Sequence, residues 1–360
     1  MMTDASVLSG LRLGRTIGPA DVRHQGNIFN ILRLLFASSV IFSHAYELTG
    51  NPDPSDAVLP FSVSRFAVLL FFTLSGFLVT NSLEMRGVLQ FAQARALRML
   101  PGLWVMLVVT AVIATIGFGT LPLAAMPGNA SLWQYLLRNA FLLGHYYSID
   151  GVFVANPIPT AINGSLWTIP REVHCYIALA IIGATGLLAR RHLLLVGYGL
   201  GIAAHMLLPL DIIPQLAPLR PLAISFFAGV LLYLYRERVF LSWPLAVLVV
   251  LLAMAAEAGP WRELAAQLSA AYVALVAAIL VPGTWKRFSH ALPDYSFGIY
   301  IYAFPVQQAM IATGIGATPF ANMASTLVFT VPLAALSWHL IEKPALALKG
   351  RGRRNATLPA

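Results

Sequence analysis

Residues 27–47, "NIFNILRLLFASSVIFSHAYE", form an apolar run that contains Arg33 and, near its end, His44. A helix needs about 20 mostly apolar residues to cross the hydrocarbon core of a bilayer, and this run has that length. At 100° per residue, a separation of eleven residues puts both side chains on one helix face, roughly 16 Å apart along the axis. The stretch therefore predicts a membrane-spanning helix with a cation towards one end and a titratable ring towards the other.

The same apolar character extends through the 360 residues. The chain is 58% hydrophobic and 10% charged, with a mean hydropathy of +0.76, whereas soluble domains carry about 25% charged residues. Apolar runs of near-spanning length lie at 28–48, 62–82, 99–118, 166–189, 193–210, 219–235, 239–257, 264–281, 295–315 and 323–345. The pattern predicts an all-α, polytopic transmembrane helical bundle of about ten spans. It divides the chain into an N-terminal segment 1–27, a membrane domain 28–345 and a basic tail 346–360. Residues 1–26 lack a cleavable secretory pattern, so we expect the first span to be an uncleaved anchor.

Basic residues predict the orientation of these spans. If residue 1 is cytoplasmic, 17 Lys and Arg residues fall in inside segments and 5 in outside segments, with Arg33 in the first span completing the 23. Such a bias follows the positive-inside rule and predicts that both termini are cytoplasmic. The sequence pI near 9.9 is therefore a topology signal, and no nucleic-acid partner is expected.

The count of spans requires that residues 131–147, "SLWQYLLRNAFLLGHYY", do not cross the membrane. This segment contains Arg138 and is short for a span, so we predict an interfacial or re-entrant helix within the outer loop 119–165. The following stretch "GVFVANPIPTAING" is rich in Gly, Pro and Asn, which predicts an irregular conformation.

Three titratable groups are predicted near the outer ends of their spans. His44 has the near-neutral pKa that suits a general base, and Glu47 shares its helix face three residues later. Glu172, in "SLWTIPREVHCYIAL", lies at a comparable predicted depth and could orient His44. The alternatives are an interfacial His44–Glu47 pair and a local cluster of Glu172 with Arg171 or His174.

Towards the opposite face, the segment "FAQARALRMLPGLW" places Arg95 and Arg98 three residues apart. On a helix they form one two-pronged cationic face, and guanidinium forks match phosphate oxygens bidentately. The alternatives are charge that only sets topology for this pair, and a snorkelling side chain for Arg33.

The remaining motifs predict structure more than chemistry. Glu342 is expected to pair locally with Lys343, and His205 and His339 to be packed, hydrogen-bonded residues. The small residues of "LSGFL" permit close helix contact. No HxxxH, HExxH or GxSxG spacing occurs, and Cys175 is the one cysteine, so neither a metal site nor a disulfide is predicted.

Together these segments resemble the acyltransferase 3 family, integral membrane proteins that acylate extracytoplasmic carbohydrates. "LRLLFASSVIFSH" is similar to the family's pattern of Arg, ten residues, then His, and "ARALRMLPGLW" to its RxxR before proline. "SLWTIPREVHCY" keeps a W-x4-E-x3-Y frame through Trp167, Glu172 and Tyr176. "FFTLSGFLVT", "YSFGIYIYAFPV" and "WHLIEKP" resemble further family segments in the family's order.

This chain departs from the family pattern at three positions. The family usually has histidine two residues before the proline of the ninth span, where this chain has Ala303 before Pro305. Arg171 and Cys175 replace residues that are commonly apolar or aromatic, which indicates a different acceptor pocket.

The resemblance implies an O-acyltransferase, and an O-acetyltransferase in particular, in a bacterial inner (plasma) membrane. Acetyl-CoA or another acyl-CoA would be the donor substrate, with no permanently bound cofactor. Its phosphates would rest on Arg33, Arg95 and Arg98, and the pantetheine arm would extend outward between helices.

At the other end of the site, the resemblance implies acyl transfer to a carbohydrate hydroxyl of a polysaccharide, a lipopolysaccharide or a lipid-linked oligosaccharide. His44 would take the proton from that hydroxyl, with Glu172 or Glu47 orienting the ring. Glu47, Trp167 and Tyr176 would bind the acceptor. Activation of Cys175 as an acyl-enzyme nucleophile has no support in its neighbours.

Three alternatives remain at this point. A multi-span transporter or exporter would also place polar groups within helices, although the chain lacks detectable repeat halves. A sensor or scaffold for polysaccharide assembly would retain the motifs without activity. A different class of membrane acyltransferase would use lipid or protein acceptors.

Overall fold

The apolar runs fold into helices in a computed structural model that describes residues 14–22, 26–208 and 216–350. The α-helices, numbered along the chain, are α1 (Phe29–Leu48), α2 (Val63–Arg86), α3 (Val88–Phe118), α4 (Ala130–Ala140), α5 (Ile169–Ala184), α6 (Arg191–Leu207), α7 (Leu219–Leu234), α8 (Trp243–Ala255), α9 (Pro260–Ile279), α10 (Gly283–Ala291), α11 (Ser296–Ala312), α12 (Pro319–Ser337) and α13 (Lys343–Ala347). The described residues also contain short 3₁₀ turns and a π turn at Trp338–Glu342. In the described ranges, β1 (Arg15–Thr16) pairs with β2 (Phe240–Leu241) in antiparallel fashion. The predicted all-α class is confirmed.

The predicted spans all overlap helices, but the helices differ in length. Within the described ranges, the segments long and apolar enough to cross a membrane are α1, α2, α3, α9 and Pro319–Ala347, which combines α12, the π turn and α13. The helices in the other five predicted spans, α5 to α8 and α11, have 13 to 17 residues. The chain is thus a membrane protein, and the total of about ten spans remains a prediction.

Helix α3 begins earlier than the sequence predicted. Gly87, at a φ of 75°, ends α2, and α3 starts at Val88 rather than near residue 99. A left-handed φ favours glycine because it has no Cβ, so a sharp reversal is possible at this one residue. As a result Arg95 and Arg98 lie within a 31-residue helix, ahead of the predicted start of the span at residue 99.

The predicted outer loop 119–165 contains less helix than expected. Helix α4 ends at Ala140, well before residue 147, because the Asn139 amide donates to the Tyr146 carbonyl (2.5 Å) and accepts from the Tyr146 N–H (3.1 Å), which turns the chain. Further on, Phe153 and Thr160 have positive φ angles of 50° and 61°, a region that side chains disfavour. The interfacial or re-entrant role of α4 remains a prediction.

The described chain divides into two compact units. One comprises residues up to Leu32, Leu69–Asn81 and Ala189–Leu292, and the other Arg33–Val68, Ser82–Leu188 and the chain from Pro293. In the first unit, a Cβ on Gly76 would lie 1.9 Å from the Phe226 carbonyl oxygen and one on Gly229 would lie 2.0 Å from that of Thr73. The "LSGFL" motif therefore permits the close contact of α2 with α7 that its small residues indicated.

The second unit contains all the candidate residues. Its helix α11 packs against α12 and α3. A Cβ on Gly298 of α11 would lie 2.8 Å from the Ala334 Cα of α12, so glycine is needed for this approach. Predictions that concern residues 1–13, 23–25, 209–215 and 351–360, which include the end of the predicted span 193–210 and most of the basic tail, lie outside the described residues.

Candidate active site

Helix α1 positions the two residues that begin the candidate site. It is continuous over Phe29–Leu48, so Arg33 and His44 lie on one helix as predicted. The helical rise separates them by roughly 16 Å. The side-chain environments at these two positions are very different.

Arg33 is held by a carboxylate far away in the sequence. Its Nη1 donates to Asp294 Oδ2 at 2.6 Å, and Arg98 Nη2 donates to the same oxygen at 2.7 Å. Ser296 Oγ donates to the other oxygen, Oδ1, at 2.6 Å. Burial would raise the pKa of Asp294, but the guanidinium groups of Arg33 and Arg98 lower it well below its usual range. Asp294 is therefore a carboxylate that bridges α1 and α3.

Arg98 also binds a second acidic residue. Its Nη1 donates to Glu342 Oε2 at 2.6 Å, and Ser337 Oγ donates to Glu342 Oε1 at 2.9 Å. The Glu342 side chain is fully buried, on the π turn. The predicted local pair of Glu342 with Lys343 is wrong. A buried carboxylate needs a buried partner, whereas a surface pair with Lys343 would contribute little.

Aromatic rings enclose this ion pair. The Arg98 guanidinium lies 5.8 Å from the Phe297 ring centroid and 5.3 Å from that of Trp338. The adjacent His339 forms a hydrogen bond with Tyr295 Oη at 3.1 Å, in keeping with a packed, hydrogen-bonded residue. Arg33, Arg98, Asp294 and Glu342 thus form a charge network, named here the Asp294 network, with two positive and two negative groups.

Arg95, one turn before Arg98, is outside the Asp294 network. Its Nε atom is buried without a hydrogen-bond partner among the described residues. The two arginines of the RxxR motif therefore have different environments, and of the two only Arg95 lacks a carboxylate partner in the described part of the chain.

His44 lies at the opposite end of α1. Its ring is half-buried and meets the Phe304 ring of α11 edge-on, with centroids 5.3 Å apart. Phe304 packs in turn against Leu48 and Ala161. The Nδ1 atom of His44 is buried and has no hydrogen-bond partner in the described residues. The predicted hydrogen bonds of His44 with Glu172 or Glu47 are not present there.

Glu172 lies in the first turn of α5 and faces a different group. It accepts a hydrogen bond from Tyr176 Oη, and both residues lie within electrostatic range of Arg33. Arg171 instead donates to the Trp167 carbonyl and stacks over the Trp167 ring at 5.2 Å. The structure thus brings Glu172 and Tyr176 together with Arg33 and not with His44.

The turn that carries Trp167 is anchored to helix α11. Asn163 Nδ2 donates to the Ile301 carbonyl at 2.8 Å, and Tyr300 Oη donates to the Ser165 carbonyl at 3.0 Å. A Cβ on Gly164 would lie 2.6 Å from the Phe304 ring. Helix α11 therefore positions both the Trp167 turn and the ring beside His44.

Helix α11 also anchors the segment before that turn. Asn156 Nδ2 donates to Gln308 Oε1 at 2.7 Å, and Gln308 Nε2 donates to the Ala161 carbonyl at 2.8 Å. One turn after the buried Ala303, Gln307 Nε2 donates to the Ile41 carbonyl of α1 at 2.9 Å. The ninth predicted span is a scaffold for the His44 end, although it lacks the family histidine at Ala303.

Sequence reasoning missed Asp294 and the anchoring residues Asn163 and Tyr300. Asp294 had a detectable signal, since it is a carboxylate directly before an apolar run in a chain with few acidic residues. Asn163 and Tyr300 had none, because amides and tyrosines near span ends are common.

Known proteins resemble this chain over most of its length. The family model described as an acyltransferase domain matches residues 27–339. An "O-acetyl transferase" of Shigella phage Sf6 is 32% identical over 337 residues, which cover 89% of this chain and 96% of that protein. "Nodulation protein 10" of Rhizobium leguminosarum bv. viciae is 29% identical over 366 residues, covering 92% of this chain and 97% of that protein. No solved structure matches the chain significantly. The chain is a membrane acyltransferase, and it belongs to the acyltransferase 3 family.

Proposed function

We propose that this protein is an O-acetyltransferase that moves the acetyl group of acetyl-CoA to a hydroxyl of a cell-surface or exported carbohydrate. The name of the phage Sf6 relative supports an O-acetyl product. The observation that carries the proposal is the environment of the His44 side chain. A buried polar atom without a partner is costly, and each such atom needs an explanation, of which a catalytic role is one. The unpartnered Nδ1 of His44 meets that description within the described residues.

The proposed reaction uses His44 as the general base. The acceptor hydroxyl oxygen attacks the thioester carbonyl carbon while His44 removes the hydroxyl proton. The tetrahedral intermediate then collapses, and the carbon–sulfur bond breaks. The products are the acetyl ester and the thiolate of CoA, which takes the proton from the imidazolium. Each turnover leaves His44 neutral.

Glu172 and Tyr176 supply the second part of the proposed catalytic set. Their hydrogen bond fixes the carboxylate near Arg33. We assign to this pair the positioning of the substrate between Arg33 and His44, with Glu47 and Trp167 as further contacts to the carbohydrate. Glu47 is exposed at the His44 end of α1, where an incoming acceptor can reach it.

The proposed direction of transfer follows the basic-residue distribution. Acetyl-CoA enters at the Arg33 end from the cytoplasm of a bacterial cell, its phosphates bound by arginines from the set Arg33, Arg95 and Arg98. The acceptor meets His44 at the outer face of the inner membrane. An extended pantetheine arm suits the roughly 16 Å between Arg33 and His44.

Radiolabelled acetyl-CoA supplied to membranes that contain the protein tests the reaction. We expect label in surface carbohydrate, and mass spectrometry should find acetyl esters on glycans only from cells that contain the protein. Label that stays in acetyl-CoA, together with uptake of a solute, would favour the transporter alternative.

Impermeant maleimide tests the orientation. Ala155 and Met85 are both exposed, and Cys175 is buried, so cysteines introduced at the first two positions report on opposite predicted faces. We expect Ala155→Cys to be labelled in intact cells and Met85→Cys only after permeabilisation. The reverse pattern would overturn the proposed direction.

A further inference from the structure

The cations at the Arg33 end of the second unit fall into two groups. One group is paired with carboxylates and the other is not. Arg33 and Arg98 are paired with Asp294 and Glu342 at distances of 2.6 to 2.7 Å. Arg86, Arg95 and Lys349 form no ion pair with a carboxylate in the described parts of the chain. We name these last three residues the cation triad.

Chain connectivity links two members of the cation triad, and packing adds the third. Arg86 is in the last turn of α2, immediately before the Gly87 reversal, and Arg95 follows two turns into α3. The final turn Leu348–Gly350, which carries Lys349, packs against α3. Three segments, the end of α2, the early part of α3 and a turn that packs on α3, therefore contribute one cation each.

The electrostatic state of Lys349 agrees with that geometry. Burial, followed by the charges of Arg95, Arg86 and Arg98, lowers the pKa of Lys349 to about 8. A nearby like charge disfavours the charged form of a lysine, and an anion bound among the cations would offset that effect. The buried, unpartnered Nε of Arg95 supplies a free donor at the same position.

A phosphate monoester group fits this site better than a diphosphate group does. A monoester carries a charge between −1.5 and −2 near neutral pH and offers three acceptor oxygens. Arg86, Arg95 and Lys349 can supply three cations to those oxygens. The arginines of the Asp294 network have carboxylate partners, and a ligand would have to displace these partners to bind there.

We infer that Arg86, Arg95 and Lys349 bind the 3′-phosphate monoester of coenzyme A. This inference rests on the proposed function, in which acetyl-CoA is the donor. Arg33 and Arg98 then act as positioning residues, because the Asp294 network holds α1, α3 and the π turn in place. This inference adds Arg86 and Lys349 to the donor site and removes the RxxR motif's second arginine from direct phosphate contact.

The test compares two donors on the purified full-length protein. Lys349→Gln, Arg86→Gln and Arg95→Gln each remove one cation, and Lys343→Gln removes the same charge from an exposed position nearby. With acetyl-CoA we expect each triad variant to raise KM about tenfold, the loss of one charge-assisted hydrogen bond, with kcat unchanged. With acetyl-dephospho-CoA, wild type and variants should share one raised KM. Two results would overturn the inference. One is that the triad variants raise KM equally for acetyl-CoA and for acetyl-dephospho-CoA. The other is that their KM for acetyl-CoA is the same as that of Lys343→Gln.

Binding without turnover separates this inference from the proposed function. Adenosine 3′,5′-bisphosphate, titrated calorimetrically, should bind wild type and Lys343→Gln about tenfold more tightly than the triad variants. If it does so while acetyl-CoA is not consumed, the proposed function fails and the phosphate site stands. If acetyl-CoA is consumed and this ligand binds all variants equally, the site fails alone.

Anionic phospholipid is the other source of phosphate. In vesicles of neutral phosphatidylcholine the triad variants should keep their raised KM, because the ligand is on the donor. A defect that appears only in vesicles with phosphatidylglycerol would assign the triad to lipid headgroups and overturn the donor site.

Discussion

The two ends of helix α1 differ in how far their polar groups are already satisfied. At Arg33, two guanidinium groups and two carboxylates neutralise one another through bonds of 2.6 to 2.7 Å. At His44, the ring contacts Phe304 and its Nδ1 has no partner in the described structure. The Asp294 network at the first end is complete without substrate, whereas the second end has an unused hydrogen-bonding atom.

This difference separates structural from chemical roles among residues that a motif groups together. A compensated buried ion pair holds helices in position, and breaking it leaves an uncompensated charge. An unpartnered buried nitrogen costs stability, so we assign the Nδ1 of His44 a partner that arrives with substrate. Substitutions at the two ends should therefore affect different measurements.

Removing His44 should have the largest effect of all, and on activity alone. General base catalysis contributes about 10²–10⁴-fold, so His44→Ala and His44→Gln should both lose that much kcat with normal expression and donor binding. Glutamine keeps hydrogen-bonding capacity but cannot accept a proton at neutral pH. The measurement is the initial rate of acetyl transfer from labelled acetyl-CoA.

His339→Gln is the matched control for His44, since His339 already has a hydrogen-bond partner in Tyr295. It should retain most of the wild-type rate. Substantial activity in a folded His44→Gln protein would end the proposed role of His44, and Glu172 would become the leading candidate for the base.

The second contrast lies within the RxxR motif and concerns stability. Arg98→Ala removes the partner of the fully buried Glu342, so it should lower the free energy of unfolding by about 3 kcal/mol. Arg95→Ala breaks no ion pair and should change it by less than about 0.5 kcal/mol. Denaturation in detergent, followed by tryptophan fluorescence, measures both.

A double variant sharpens this comparison. If the loss in Arg98→Ala comes from an unpaired carboxylate, adding Glu342→Gln should restore about half of it, because the amide is neutral. An additive further loss in the double variant would show that the network does not account for the stability of this end.

Local sequence patterns predicted the placement of Arg33 and His44 on one helix. They could not predict ion pairs between residues that are far apart in the sequence. Helical periodicity correctly placed Arg33 and His44 on one helix, because both belong to a single apolar run. The bonds of Asp294 to Arg33 and Arg98 join residues 261 and 196 positions apart, and that of Glu342 to Arg98 joins residues 244 apart. No periodic pattern contains information on such pairs, so the sequence assigned Glu342 to its neighbour Lys343.

The same limit explains the errors at the edges of elements. The early start of α3 depends on the left-handed Gly87, and the early end of α4 depends on the hydrogen bonds of Asn139. Both are local, yet apolar content alone does not reveal them. The RxxR motif was found, but the different environments of Arg95 and Arg98 depend on the π turn and on Lys349, which are far along the chain.

The third prediction uses pH to test the uncompensated charges at the Arg33 end. Lys349 is cationic below its pKa of about 8, and a phosphate favours that form, so donor binding should weaken as the pH rises through 8. The charged groups that act on Lys349 are Arg86 on α2 and Arg95 and Arg98 on α3. We expect the KM for acetyl-CoA to be nearly constant between about pH 7 and 7.5, to rise about fivefold by about pH 9, and to approach the roughly tenfold higher KM of Lys349→Gln at still higher pH.

Lys349→Gln is the control for that profile. It should begin with the higher KM and show no further rise above pH 8, because the titrating group is gone. The same rise in the variant as in wild type would assign the pH dependence to another group.

The smallest expected effect concerns the hydrogen bond between Tyr176 and Glu172, which lies between the two ends compared here. Tyr176→Phe removes the donor to the Glu172 carboxylate while keeping the ring that packs edge-on against Phe91, 6.2 Å between centroids. A hydrogen bond to a charged group contributes about 1.5–3 kcal/mol, and a half-buried carboxylate can recover part of that from water, so we expect kcat to fall about fivefold with little change in stability. Phe91→Leu alters the packing and leaves the hydrogen bond, so it should lower the stability and leave kcat nearly unchanged. If Tyr176→Phe instead matched His44→Gln in the size of its effect, the catalytic centre would lie at the Arg33 end of α1, and the unpartnered nitrogen of His44 would need another explanation.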